Sequence, residues 1–115
     1  MLALGAMALE LGDDALAESF LRAAIQKQPD LGAAHEMLGD MLVRLGRRPE
    51  ARAAYEEACR RDATSAPARL NLAVLLAQEG RFAEARARAE EALRLKPDYA
   101  PAQGLLAELA RRTAR

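Results

Sequence analysis

Residues 80–98 read GRFAEARARAEEALRLKPD and residues 12–30 read GDDALAESFLRAAIQKQPD: each opens on a glycine, runs through helix formers and closes on Pro-Asp. The two stretches start 68 residues apart with Gly46 midway, so Gly12, Gly46 and Gly80 mark a period of 34. The rest of the chain keeps this register. Ala17, Ala51 and Ala85 share one column, Ala24, Ala58 and Ala92 another, and Leu4, Leu38, Leu72 and Leu106 a third. A small residue follows that leucine each time: Gly5, Gly39, Ala73 and Ala107. Pro29 and Pro97 stand two periods apart, with Ala63 between them. A period of this length is the mark of stacked supersecondary units.

Each unit holds two helices. In AAHEMLGDMLVRL, residues 33–45, Leu38, Met41, Leu42 and Leu45 recur at intervals of three and four, and Gly46 then supplies a left-handed exit. Asp13 or Asp14, Pro49 in a first turn, and Asp30, Ser65 and Asp98 at caps mark the starts, while Pro29 and Pro97 stop the helices before them. The pattern predicts helices near 2–11, 14–28, 31–45, 48–62, 65–79, 82–96 and 99–113, and no strands.

The 34-residue spacing with the pattern L-G…G…A…A…P resembles the tetratricopeptide repeat. The resemblance covers almost the whole chain: repeat one to about 31, repeat two about 32–65, repeat three about 66–98, and a solvating cap helix about 99–113, in a single domain of 1–115. It implies an all-α fold, an α-solenoid in which antiparallel helix pairs, about seven helices in all, wind into a right-handed superhelix. A four-helix bundle or long coiled coil uses the same residue types, but the coiled coil needs uninterrupted heptads and the glycines interrupt them. The chain departs from the family in its aromatics. Met1, His35, Arg69 and Gln103 stand where tryptophan is common, Ala8, Leu42, Leu76 and Ala110 where tyrosine is, and Leu21, Tyr55 and Ala89 fill the second-helix aromatic column.

The small columns have a steric purpose. Helices whose axes approach within about 8–10 Å need narrow residues at the crossing. Gly39 and Ala73 in first helices, with Ala51, Ala58, Ala85 and Ala92 in second helices, meet that need, and Leu38, Leu42, Leu72 and Leu76 fill the flanks. Composition agrees: 51% of residues are hydrophobic but 3% aromatic, so the apolar content is largely narrow side chains.

Lys+Arg and Asp+Glu each number 17, so no net field draws the chain to nucleic acid or anionic lipid. The late arginines, Arg81, Arg86, Arg88, Arg94, Arg111, Arg112 and Arg115, lack interleaved aromatics for base stacking, and the last three suit a helix C-terminus. The opening MLALGAMAL has no basic leader and runs into Glu10, Asp13 and Asp14, which reads as a helix and not a secretion signal. No apolar stretch reaches the roughly 20 residues that span a bilayer. One cysteine, Cys59, forms no internal disulfide, and it aligns with Ile25 and Leu93 as a core replacement. These features favour the cytoplasm, with the periplasm or a membrane-tethered longer chain left open.

The resemblance implies a concave groove lined by first helices, binding a protein or peptide segment. Transferred to this register, the groove stripes are Leu2, Ala6, Glu10; Glu36, Asp40, Arg44; Leu70, Val74, Gln78; and Gly104, Glu108, Arg112, with Asn71 beside them. An acidic pair, Glu36 and Asp40, suits a Lys or Arg of the ligand, and Leu70 and Val74 suit an apolar residue. The competing reading makes Glu36, Asp40 and Arg44 a solvated ladder in which Asp40 and Arg44 pair at i,i+4. A clamp for a terminal carboxylate, known in some members, needs inward basic and amide groups, and here Leu2, Ala6, Met37 and Pro67 replace most of them, leaving Asn71. His35 has no orienting partner in sequence and no nucleotide or nucleophile motif occurs, so neither an enzyme nor a cofactor is expected. The rival to peptide binding is self-association, as a homo-oligomer, or a spacer role in a longer protein: Met1 falls inside a helix that exposes Leu2.

Overall fold

The computed structural model describes residues 2–113, with side chains from residue 3 onward. Its helices are α1 (Leu2–Glu10), α2 (Asp14–Lys27), α3 (Gly32–Arg44), α4 (Arg48–Arg61), α5 (Ala66–Gln78), α6 (Phe82–Leu95) and α7 (Ala100–Thr113), and the described residues contain no strand. The chain divides into two compact units, residues 1–63 and 64–115.

The 34-residue punctuation is a repeated turn. Gly12, Gly46 and Gly80 have φ of 77°, 76° and 79°, the left-handed region in which a Cβ is strained. Behind each, the next residue's amide reaches back: Asp13 to the Ala8 carbonyl at 3.0 Å, Arg47 to Leu42 at 2.8 Å and Arg81 to Leu76 at 2.9 Å. The glycine amides donate to Leu9, Val43 and Ala77. These paired bonds satisfy the last carbonyls of each first helix and turn the chain directly into its partner.

Helix starts differ from expectation in one column. Asp13 caps α2, accepting from the Leu16 amide at 3.0 Å, and Ser65 caps α5, accepting from Ala68 at 3.2 Å. Asp30 does not cap α3: the cap residue is Leu31, with no side-chain bond. Likewise α7 begins at Ala100, one residue beyond Tyr99 and two beyond Asp98. Leu31, Ser65 and Tyr99 are one column, so the register places the cap there whatever the side chain. Tyr99 instead packs on the cluster of Ala66, Ala92 and Ala102, with the Lys96 ammonium 5.1 Å from its ring centre. At Arg47 and Arg81, which precede α4 and α6, a two-pronged ion pair with Glu50 and Glu84 forms in place of a capping hydroxyl.

In residues 1–63, α2 packs on α1 and α3, and α4 packs on α3. The core is Ala8, Ala17, Leu21, Ala24, Ala34, Leu38, Met41, Leu42, Ala51, Ala54, Tyr55 and Ala58. Gly39 shows why its column is narrow: a Cβ there would lie 2.6 Å from two carbons of the Tyr55 ring. Gly5 bears the same relation to Leu21, with a Cβ 2.9 Å from Cδ2. In residues 64–115, α6 packs on both α5 and α7 around Ala68, Leu72, Ala73, Leu75, Leu76, Ala85, Ala89, Ala92, Ala102 and Leu109. Cys59 is half-buried, as are Ile25 and Leu93 in its column, so this position lies at the edge of the core and not inside it.

Candidate functional site

First-helix residues expected to face a ligand fall into two groups, one in each compact unit. In residues 1–63, Glu36 and Asp40 lie one turn apart on α3. Asp40 is exposed, and its Oδ1 accepts a hydrogen bond from the Tyr55 hydroxyl at 2.5 Å. Glu36 is half-buried. Removal from water raises the Glu36 carboxyl above its ordinary value, and the nearby Asp40 and Asp62 charges raise it further. Asp40 is raised by partial burial, against which the Tyr55 hydrogen bond acts. Burial, and then the same bond to Asp40, hold the Tyr55 phenol well above its usual range. This face thus brings together two carboxylates, one half-buried, whose ionised forms are disfavoured relative to free side chains.

The ladder between Asp40 and Arg44 does not form. Arg44 pairs with Asp14 at the start of α2, and Asp40 with Tyr55 of α4. Both partners come from neighbouring helices, which packing of α2 and α4 on α3 brings within reach. Ala6 on α1 is half-buried and apolar. The Leu2 side chain lies outside the described residues.

In residues 64–115 the expected stripe is split. Leu70 is half-buried and packs against Ala66, Ala92 and Ala102, so it belongs partly to the core. Asn71 is half-buried beside it. Val74 is 38% exposed and Gln78 is exposed. Val74 and Gln78 of α5 open with Phe82 of α6 and Leu105, Glu108 and Arg112 of α7 into one cleft of about 280 Å³. Four of the residues expected from sequence, Val74, Gln78, Glu108 and Arg112, therefore share one concavity. Its rim is internally neutralised: Glu108 is bridged by Arg111 and, at 3.1 Å, by Arg112, which holds its carboxyl below the ordinary value. Leu105 lies outside the groove stripes expected from sequence. It lies one period after Asn71, so the register itself points to it.

His35 is buried at 8% exposure, and its Nε2 donates to the Pro29 carbonyl at 3.0 Å. Two periods later Gln103 does the same to Pro97 at 3.1 Å. A glutamine in the same role requires no acid–base chemistry, so at α3 and α7 this column ties the helix to the turn before it, while Arg69 of α5 donates to the Ser65 carbonyl at its own N-cap. No helix of the described residues is long and apolar enough to cross a membrane.

With this geometry in place, comparison defines the class. A tetratricopeptide repeat family model matches residues 42–109, more than half of the chain. The protein belongs to the tetratricopeptide repeat family, whose domains serve as protein-interaction modules. No curated protein matches the sequence. Solved structures share the fold at low identity. MamA superposes with a TM-score of 0.91 at 18% identity, over 98% of this chain and 66% of MamA, so the chain spans about two thirds of that molecule. The TPR domain of Arabidopsis OM64 gives 0.87 at 20% identity, over 96% of this chain and 91% of that one. The first TPR of Spaghetti (RPAP3), bound to the HSP90 peptide SRMEEVD, gives 0.90 at 16% identity, over 96% and 88%.

Proposed function

We propose that this chain is a non-enzymatic interaction module that takes a protein or peptide segment on its first-helix faces. The observation that carries the reading is the α5–α7 cleft, where an exposed valine, a half-buried leucine and a free amide converge. A cleft of about 280 Å³ suits one apolar side chain of a ligand, with Gln78 available to a ligand backbone amide. On the other unit, Glu36 and Asp40 offer a Lys or Arg a favourable place, because a cation relieves charge that burial and repulsion already disfavour. Ala6 and Asn71 flank these faces. The peptide on the Spaghetti domain carries two glutamates and an aspartate. Glu36 and Asp40 repel such a tail, so a ligand of that face has different chemistry and carries a basic residue, while the α5–α7 cleft by itself suits an apolar one.

Selection of displayed peptides on the immobilised chain tests the reading. Enriched sequences are expected to carry a branched or aromatic apolar residue, and Val74→Glu to weaken a selected peptide at least about tenfold by fluorescence anisotropy. Because Val74 is exposed, its stability change stays within about 0.5 kcal/mol. Peptides that bind Val74→Glu as tightly as the unaltered chain would place the ligand elsewhere. Leu70 is unsuited to this experiment, since a charge there disturbs the Ala66–Ala92–Ala102 packing.

A further inference from the structure

Between α2 and α4, both of which pack on α3, a hollow of about 330 Å³ opens in residues 1–63. Its floor is the sealed pair Leu38 and Leu42. Half-buried Ile25 of α2 and exposed Ala53 of α4 form its walls, and the half-buried Glu57 stands at its edge. None of these residues belongs to the α5–α7 cleft, and neither Glu36 nor Asp40 lines the hollow.

One period later the chain occupies the same columns with its own side chains. Leu38, Leu42, Ala53 and Glu57 recur as Leu72, Leu76, Ala87 and Glu91, but His35 and Ala54 are replaced by Arg69 and Arg88. Both arginines go to Glu91: Arg88 donates to its two oxygens at 2.9 and 3.1 Å, and Arg69 Nε lies 3.5 Å from Oε2. The Arg69 side chain is 13% exposed, so its stem is packed on the protein while its head is paired. In repeat two a methyl group stands where Arg88 would, and the His35 ring turns to the Pro29 carbonyl. Arg60 and Arg61 meet Glu57 from its C-terminal side, three and four residues on, and both are exposed. On its N-terminal side, where Arg88 stands in repeat three, is the hollow.

We propose that the hollow between α2 and α4 binds an arginine side chain of a partner protein, as repeat three holds its own: the stem lies over Leu38, Leu42 and Ile25, and the guanidinium reaches Glu57. A planar guanidinium can share a carboxylate that already accepts other bonds, as Arg69 and Arg88 share Glu91. Exposed ion pairs such as those of Arg60 and Arg61 contribute little, so Glu57 gives up part of them at small cost. The same wall carries Glu50, and the one cation opposite among the lining residues, Arg22, is held by Glu18 at 2.8 Å. The residues are separate from both ligand faces proposed above, so failure here leaves that reading standing, and the reverse.

Titration of the 115-residue chain with the capped peptide acetyl-Ala-Arg-Ala-amide, followed by amide NMR, tests the assignment. Saturable shifts are expected at Ala53, Ala54 and Glu57. The same peptide with lysine at its centre is expected to bind at least about threefold more weakly, because an ammonium lacks the guanidinium fork. Glu57→Gln is expected to weaken the arginine peptide at least about threefold. Ala54→Arg, which supplies the arginine that repeat three already has, is expected to abolish binding; circular dichroism checks its folding, and Ala53→Arg at the exposed wall replaces it if it unfolds. Shifts confined to Glu36 and Asp40 would place the peptide on the acidic face and overturn this site while supporting that one. No saturable shift, equal binding of the lysine peptide, or unchanged binding by Glu57→Gln or by the arginine-filled variant would each overturn the proposal.

Discussion

The α3–α4 and α5–α6 crossings occupy the same register and are built from different volumes. At the first, Gly39 lies under the ring of Tyr55, whose hydroxyl reaches Asp40. At the second, the same three columns hold Ala73, Ala89 and Val74. Ala73 and Ala89 are both fully buried, so each solution closes its crossing. The consequence appears on the ligand-facing side. Where the second helix contributes a tyrosine, a carboxylate sits on the first-helix face and is held by it; where it contributes alanine, the face carries an exposed valine. The core choice and the surface chemistry of a repeat are thus linked through one side chain.

Replacing Tyr55 by alanine removes both roles and should give the largest effect. An aromatic deletion at 4% exposure is expected to cost about 3–5 kcal/mol by denaturant unfolding. A loss under 1 kcal/mol would mean that the ring is not what fills the α3–α4 crossing. Next comes Ala58→Leu, which inserts three carbons at a position 1% exposed and should cost about 1–3 kcal/mol. An unchanged melting temperature there would contradict the narrow-column account.

The smallest effect is in the pH dependence, and it separates the two kinds of carboxylate. Glu36 and Asp40 have folded pKa values above their ordinary 4.5 and 3.8, so they bind protons more tightly folded than unfolded. Ionising them costs stability above the folded pKa, and that cost disappears as pH falls below the ordinary values. Glu57, held to about 2 by Arg60 and Arg61, contributes stability above 4.5 that is lost as pH falls towards 2. The double substitution Glu36→Gln, Asp40→Asn is therefore expected to stabilise the chain near neutrality, with the gain vanishing in acid. A gain equal at pH 7 and pH 3 would show that charge is not its origin.

Much of this architecture was legible because a period of 34 is a statement about geometry. The left-handed glycines, the narrow columns and the buried leucines follow from it, since each repeat must solve the same packing problem. The departures share a cause: they depend on which neighbour a helix meets. Asp40 and Arg44 are i,i+4 on paper, but Tyr55 and Asp14 are brought to them by packing of α4 and α2. The family's groove face, transferred to this register, points Leu70 towards a ligand, but Leu70 packs partly inward against Ala66, Ala92 and Ala102. Leu105 shares its column with Met37 and with Asn71, a residue expected beside the groove, so the register marks it even though side-chain character does not repeat there.

A double-mutant cycle at Gly39 and Tyr55 tests most directly whether the glycine is there for the ring. With Tyr55 in place, Gly39→Ala sets a Cβ 2.6 Å from ring carbons and is expected to destabilise by about 1–3 kcal/mol. In the Tyr55→Ala background the clash is gone, and the same change should stabilise by about 0.5–1 kcal/mol through helix propensity alone. This reversal of sign is the predicted result, and an equal effect of Gly39→Ala in both backgrounds would contradict it.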